Sequence, residues 1–130
     1  MQSLNIIVGC VLFGVAIVIT MSVPADRQTV ADPWFQSAVL KNTRPVVVKF
    51  GADWCPPCRS MDTALDKLKS SFPQARFVTI KIDEKPDLFR TFQNGSGIPQ
   101  VAIFQHGAVS ARTRGFPGEA KRKSWLQNNL

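Results

Sequence analysis

Phe50-Gly51-Ala52-Asp53-Trp54-Cys55-Pro56-Pro57-Cys58-Arg59 decides the fold of this chain. Two cysteines separated by two residues follow the apolar run Val46-Val47-Val48-Lys49-Phe50 and open a segment with helical periodicity. A helix N-terminus carries unpaired N–H groups and the positive end of the macrodipole, so it favours a thiolate over a thiol. The spacing sets the second sulfur one turn along, within reach of the first. Pro56 and Pro57 suit the first helical turn, where a missing N–H costs nothing. A strand feeding such a pair at a helix start predicts a redox-active dithiol.

Around this stretch the elements alternate. Asp32-Pro33 has the form of a cap followed by proline at the first helical position, with Trp34, Phe35, Ala38 and Val39 as its apolar face. Pro45–Phe50 is a strand whose unbroken apolar run predicts burial on both faces. From Cys55 to about Phe72, Met61, Ala64, Leu65, Leu68 and Phe72 form one helical stripe, and Pro73 ends it. Ala75–Ile82 is read as a second central strand. Asp83 is expected to cap a short helix through about Phe92, with Leu88, Phe89 and Phe92 inward. A loop at Asn94-Gly95-Ser96-Gly97 precedes a hairpin, Pro99–Gln105 and Val109–Gly115, turning at His106-Gly107. Gly118 leads into a last helix, Glu119–Asn129, with Trp125, Leu126 and Leu130 toward the core. This order predicts an α/β domain with a mixed central sheet flanked by helices on both faces.

The chain has 130 residues, enough for one modest domain, with 16 basic and 9 acidic side chains. All of them lie from Asp26 onward, so the net charge of +7 belongs to the polar part. Ile6 to Val23 is an uncharged apolar run of 18 residues, near the minimum for crossing about 30 Å of hydrocarbon. It is longer than the core of a cleavable signal, although Val23-Pro24-Ala25 offers small residues for cleavage. The organisation expected is therefore an N-terminal hydrophobic helix in residues 1–25, a linker at 26–31 and the domain at 32–130. A brief edge strand is expected at Gln28–Val30. Pro24–Ala31, fully extended, reaches only about 25–30 Å, which keeps the domain near the membrane if the anchor is retained. Cleavage would make the domain secreted. Basic residues following the span argue for the cytoplasm, yet an apolar segment ahead of a redox domain is most simply an export signal, and an extracytoplasmic (periplasmic) domain is favoured. Cys10 sits in a lipobox-like Ile7-Val8-Gly9-Cys10 with the wrong surroundings for one, and is read as a small apolar residue.

The sequence resembles the thioredoxin family over nearly all of Asp32–Leu130. The resemblance rests on the opening stretch, Ile80-Lys81-Ile82-Asp83, Gly97-Ile98-Pro99 and Phe104-Gln105-His106-Gly107, in that order and spacing. It implies the thioredoxin-like fold, a redox-active disulfide, and a cis peptide bond at Ile98-Pro99 packed beside the cysteines. A backbone held extended there would let a substrate peptide add beside Ile98 as a strand. Three departures stand out. Lys49 occupies the position of the family's buried Asp, Thr79 that of its partner lysine, and Gly51 that of a Trp. A buried ammonium at Lys49 would favour a Cys58 thiolate, or Lys49 snorkels and its charge is solvated. Pro56-Pro57 replaces the commoner Gly-Pro.

The mechanism expected has Cys55 as nucleophile and Cys58 as resolving cysteine. Trp54, Pro56, Pro57, Ile98 and Pro99 would make the substrate surface. Asp53 is expected to cap the helix, the alternative being a proton relay, and Arg59 either to help the thiolate or to be solvated. Intrachain zinc is disfavoured, since the domain offers one cysteine pair and a single histidine, His106, in a turn. No cofactor is expected. The partners implied are disulfide-containing proteins and an electron donor, either a thioredoxin reductase or a membrane thiol transporter. The basic residues Arg112, Arg114, Lys121, Arg122 and Lys123 lack aromatic interleaving and give no nucleic-acid motif. Ile98 ahead of the proline resembles reducing thioredoxins, so reduction of protein disulfides near a membrane is the function expected, with a disulfide oxidase or isomerase, or a binding module without turnover, as the alternative.

Overall fold

Three consecutive β-branched residues, Val46 to Val48, bring apolar groups to both faces of one strand, and such a strand needs a covering layer on each side. In the structure, a computed structural model that describes residues 30–130, they lie in β1 (Val46–Gly51), which is buried throughout. β1 pairs in parallel with β2 (Arg76–Lys81) and antiparallel with β3 (Gln100–Gln105). β4 (Ala108–Arg114) pairs antiparallel with β3, giving the order β2-β1-β3-β4 in the expected mixed sheet.

Alternate residues of β1 serve two cores. Val46, Val48 and Phe50 face Phe35, Val39, Leu88, Phe92, Ala102 and Phe104. Val47 faces the other way, toward Met61, Leu65, Leu68, Ile103 and Leu126. The first face is covered by α1 (Pro33–Phe35, continued by a wider turn at Gln36–Leu40) and later in the chain by Leu88 and Phe92. The second is covered by α2 (Pro56–Leu68). α3 (Pro86–Phe92) completes the first layer and α4 (Glu119–Asn129) the second. On the first face Phe104 meets Phe35 and Phe92 edge-on, with ring centroids 5.4 and 5.0 Å away. These are favourable aromatic geometries.

Several boundaries differ from expectation for local reasons. Trp34 faces solvent, 44% exposed, with the Lys85 ammonium 5.4 Å from its ring, because Phe35 takes the inward position. The α2 stripe is buried as expected, but the helix proper ends at Leu68 and Lys69–Ser71 tightens into a 3₁₀ turn. Asp83 does not cap α3. The residue before a proline avoids helical geometry, so the helix begins at Pro86 with Lys85 in a non-helical conformation (φ −133°, ψ 62°) ahead of it. Ala75–Ile82 is not central: among the described strands β2 lies at an edge, and only Ile80 in it is fully buried. His106 and Gly107 both have positive φ, 54° and 81°, which is the twist a two-residue hairpin turn requires. The apolar run at 6–23, Cys10 and the edge strand expected at Gln28–Val30 lie outside the described residues, except Val30, which is buried in the first core. Among the described residues no helix is long and apolar enough to cross a membrane.

Asp32 caps α1 as expected, accepting the Phe35 N–H at 2.8 Å. The Lys85 ammonium and then that N–H hold its carboxyl below the usual range. A depressed folded pKa stabilises above the unfolded value and loses that contribution as pH falls through the folded one. Asp32→Ala should therefore cost about 1 kcal/mol at neutral pH. The gap between variant and parent should close below about pH 4, as followed by urea denaturation.

Candidate active site

Cys55 is not the first residue of α2 but its cap. Its backbone is extended (φ −99°, ψ 108°), and its sulfur accepts the Cys58 N–H at 3.3 Å. Pro56 and Pro57 fill the first helical positions and have no N–H, so Cys58 supplies the first free donor of the helix. The sulfur of Cys55 therefore lies where helix geometry stabilises negative charge. The two cysteines are joined as a disulfide with Cα atoms 5.2 Å apart, within the ordinary span of that bond. Both are buried among Ala52, Ile82 and Ile98, Cys58 completely and Cys55 to 4% exposure. The expected greater exposure of Cys55 is present, but small.

The Ile98–Pro99 peptide is cis, as the resemblance implied. Ile98 is half-buried against the disulfide, while Pro99 is buried. Trp54 is 65% exposed, and its indole N–H donates to Asp83 at 2.9 Å. This bond uses the carboxylate that was expected to cap α3. Pro56 and Pro57 are exposed beside Trp54 in the chain. Trp54, the two prolines and the accessible part of Ile98 thus border the disulfide, whereas Pro99, expected in that surface, is buried.

The polar residues divide differently from expectation. Asp53 does not cap α2, since Cys55 holds that position; its carboxylate pairs with Lys81 at 2.8 Å. That pairing lowers the Asp53 pKa and raises that of Lys81. Arg59 turns to the Asp53 carbonyl at 3.1 Å and stays exposed. Lys49 is 2% exposed and bonds to Asp62, which is half-exposed on α2. Its ammonium is thus neither bare nor solvated alone. The pair opens on a groove of about 260 Å³ that Asp66, Lys69 and Lys81 also line. A Cβ placed on Gly51 would lie 2.6 Å from Lys49 Cε, 3.0 Å from its Nζ and 3.2 Å from Cys58 Cβ. Glycine at 51 therefore leaves the space that the lysine stem fills, next to Cys58. Thr79 is the strand partner of Lys49 on β2.

Two residues escaped the sequence reading. Asp62 follows Cys58 by four, so helical spacing puts it on the same face one turn on, a signal that could have found it. Gln100 is 3% exposed at the start of β3 and bonds three times to the 94–97 loop. A polar residue at a buried point of an apolar strand was its only sequence trace. Among the described residues no three His, Cys, Asp or Glu side chains gather as a metal site.

Removing the carboxylate that pairs with a buried ammonium leaves that charge uncompensated, whereas replacing both is often neutral. Asp62→Leu should therefore cost about 3 kcal/mol, and the double variant Lys49→Met, Asp62→Leu should recover most of it. Guanidinium unfolding of the four members of the cycle measures both quantities.

The family model described as Thioredoxin matches residues 26–128. The thioredoxin of Rhodospirillum rubrum is 34% identical over 102 residues, covering 78% of this chain and 97% of that protein. The thioredoxin of Rickettsia bellii (strain RML369-C) is 29% identical over 102 residues, covering 78% and 96%. A bifunctional thioredoxin reductase/thioredoxin of Mycobacterium leprae (strain TN) is 35% identical over 92 residues, which are 70% of this chain and 20% of that protein. With its dithiol held as a disulfide at the start of α2, this thiol–disulfide oxidoreductase belongs to the thioredoxin family.

Proposed function

We propose that the chain reduces disulfides of protein substrates at a membrane surface, tethered by residues 6–23 with its domain on the extracytoplasmic side. The observation that carries the reducing direction is Ile98, which packs against Cys55 and Cys58 and presents only an apolar side chain to them. It is similar to the residue ahead of the proline in reducing thioredoxins. An oxidant is made by stabilising the reduced form, and Ile98 adds no side-chain hydrogen bond to a thiolate. The tether is supported by the uncharged run Ile6 to Val23, the short linker after it and the +7 charge of the rest.

In this cycle the Cys55 thiolate attacks a substrate disulfide. A Cys55–substrate S–S bond forms, the substrate bond breaks, and the first substrate sulfur leaves as a thiolate that takes a proton from solvent. Cys58 then loses its proton and attacks the Cys55 sulfur, which re-forms the disulfide and frees the second substrate thiol. Two electrons pass from the dithiol to the substrate, and a thiol donor must restore them. The Mycobacterium leprae relative, whose name joins a thioredoxin reductase to a thioredoxin, supports the first of the two donor classes. The Lys49 ammonium beside Cys58 supports a tuning role, lowering the pH at which the resolving thiolate forms.

Cys58→Ser should trap mixed disulfides with protein substrates, recovered in the membrane fraction, and Cys55→Ser should trap none. The reverse pattern would overturn the assignment of nucleophile, and recovery of the full-length chain in the soluble fraction would end the tether. Equilibration with thiol couples should give a potential near that of a reducing thioredoxin, about −270 mV, rather than an oxidase value of about −120 mV. Failure to accelerate protein-disulfide reduction above dithiothreitol alone would favour a binding module. Lys49→Met should move the midpoint of the pH–rate profile for resolution upward by roughly one unit, and an unmoved profile would remove the tuning role.

A further inference from the structure

We infer that Gln100 and Arg114 are positioning residues that clamp loop 94–97 and thereby set Ile98 for the docking of protein substrates. The inference rests on disulfide exchange at Cys55 and is independent of its direction.

A buried amide must find partners for both its N–H and its C=O groups. Gln100 finds all of its partners in one short loop. Its Oε1 accepts the Asn94 N–H at 2.7 Å, and its Nε2 donates to the carbonyls of Gly95 at 3.0 Å and Gly97 at 2.7 Å. Arg114 is the residue paired with Gln100 across the hairpin, so the two side chains leave the sheet on the same face. Its Nη1 donates to the Ser96 carbonyl at 3.4 Å. A Cβ on Gly95 would stand 2.8 Å from that nitrogen, so the guanidinium lies directly against this glycine, whose φ of 72° itself favours glycine. The open end of the hairpin is closed by the Gly115 N–H donating to the Pro99 carbonyl at 2.8 Å. The loop is therefore gripped at every residue from 94 to 97 by two neighbouring side chains.

That grip has a consequence for recognition. Gly95 and Gly97 adopt positive φ, 72° and 90°, in an exposed segment, and glycines lose the most conformational freedom on ordering. Ile98 continues directly from this loop and packs on the disulfide. A substrate that must lay its backbone beside Ile98 benefits when the loop is ordered in advance. A small disulfide needs only the Cys55 sulfur and gains nothing from the loop. The clamp thus selects for protein disulfides over small ones, through KM and not through the chemical step.

The test uses the full-length chain and its Gln100→Leu and Arg114→Met variants, turning over insulin and dithiobis-nitrobenzoate with dithiothreitol as donor. Gln100→Leu should raise KM for insulin about tenfold and leave kcat within about twofold. Its rate with the small disulfide should also stay within about twofold. Arg114→Met should raise the insulin KM about threefold. Exchange of the Asn94 amide should quicken about tenfold in Gln100→Leu while core amides such as Val48 keep their rates. Equal losses on both substrates, an unchanged insulin KM, or unchanged Asn94 exchange would each overturn the inference. Should Gln100→Leu fail to fold, an unchanged insulin KM in Arg114→Met overturns it alone. A parent chain inactive on both substrates would instead remove the exchange activity, and the inference with it.

Discussion

The start of α2 is the constraint on which the site depends. Pro56 and Pro57 remove two of the donors that a helix N-terminus normally presents, and they fix φ for the helix that follows. The first N–H left to the helix belongs to Cys58, and it is shared between the Cys55 carbonyl at 3.1 Å and the Cys55 sulfur at 3.3 Å. The dithiol is therefore part of the capping of α2. One cysteine accepts the cap bond, the other donates it, and the helix cannot begin elsewhere without moving the chemistry. β1 supplies the matching constraint from below. It is buried on both faces, ends at Gly51, and delivers the chain to Cys55 with few conformational choices.

The region beneath the disulfide follows from what the strand carries inward. Lys49 shares a face of β1 with the core-facing Val47, so its stem must run through apolar surroundings whatever its charge does. Burying an ammonium alone would be costly, and the fold answers with Asp62 on the next turn of α2 after Cys58. Gly51 then has to be small, since any Cβ there meets the lysine stem and Cys58 together. The two departures from the family pattern at 49 and 51, together with Asp62, are in this sense one arrangement. A lysine is accommodated by a missing side chain on one side and the Asp62 carboxylate on the other. The groove into which the pair opens gives half-exposed Asp62 access to solvent, which reduces the desolvation that a closed pair would carry.

Much of this fold is legible in the residues themselves. Helical stripes, the continuous apolar strand, the proline punctuation and the His106-Gly107 turn all act locally, and local signals survive without knowledge of the tertiary structure. The misreadings occurred where two local rules competed for one side chain. Asp53 and Asp83 both have good capping chemistry, yet Cys55 and Lys85 precede the prolines that begin their helices, and position decided against the carboxylates. Freed from capping, Asp53 pairs with Lys81 and Asp83 holds the Trp54 indole. Trp34 lost the inward position to its neighbour Phe35. Gln100 was hidden for a different reason: its partners are loop carbonyls and an amide, and no sequence pattern records where a backbone group will point.

Chemistry and recognition are thus supported by different parts of the molecule and converge on one residue. The cysteines are set by α2 and β1, which are held by the two large cores and are costly to disturb. Ile98 is set by a loop with two positive-φ glycines, whose order depends on hydrogen bonds from the open end of the β3–β4 hairpin. Because Ile98 packs on the disulfide, the two supports meet at a single contact cluster. Substitutions in the hairpin end can therefore alter which disulfides are accepted without touching the helix that makes the thiolate. Substitutions along β1 or α2 act on the thiol chemistry and on stability together, since the same packing serves both. Selectivity can in this way vary on one scaffold while the reaction stays the same.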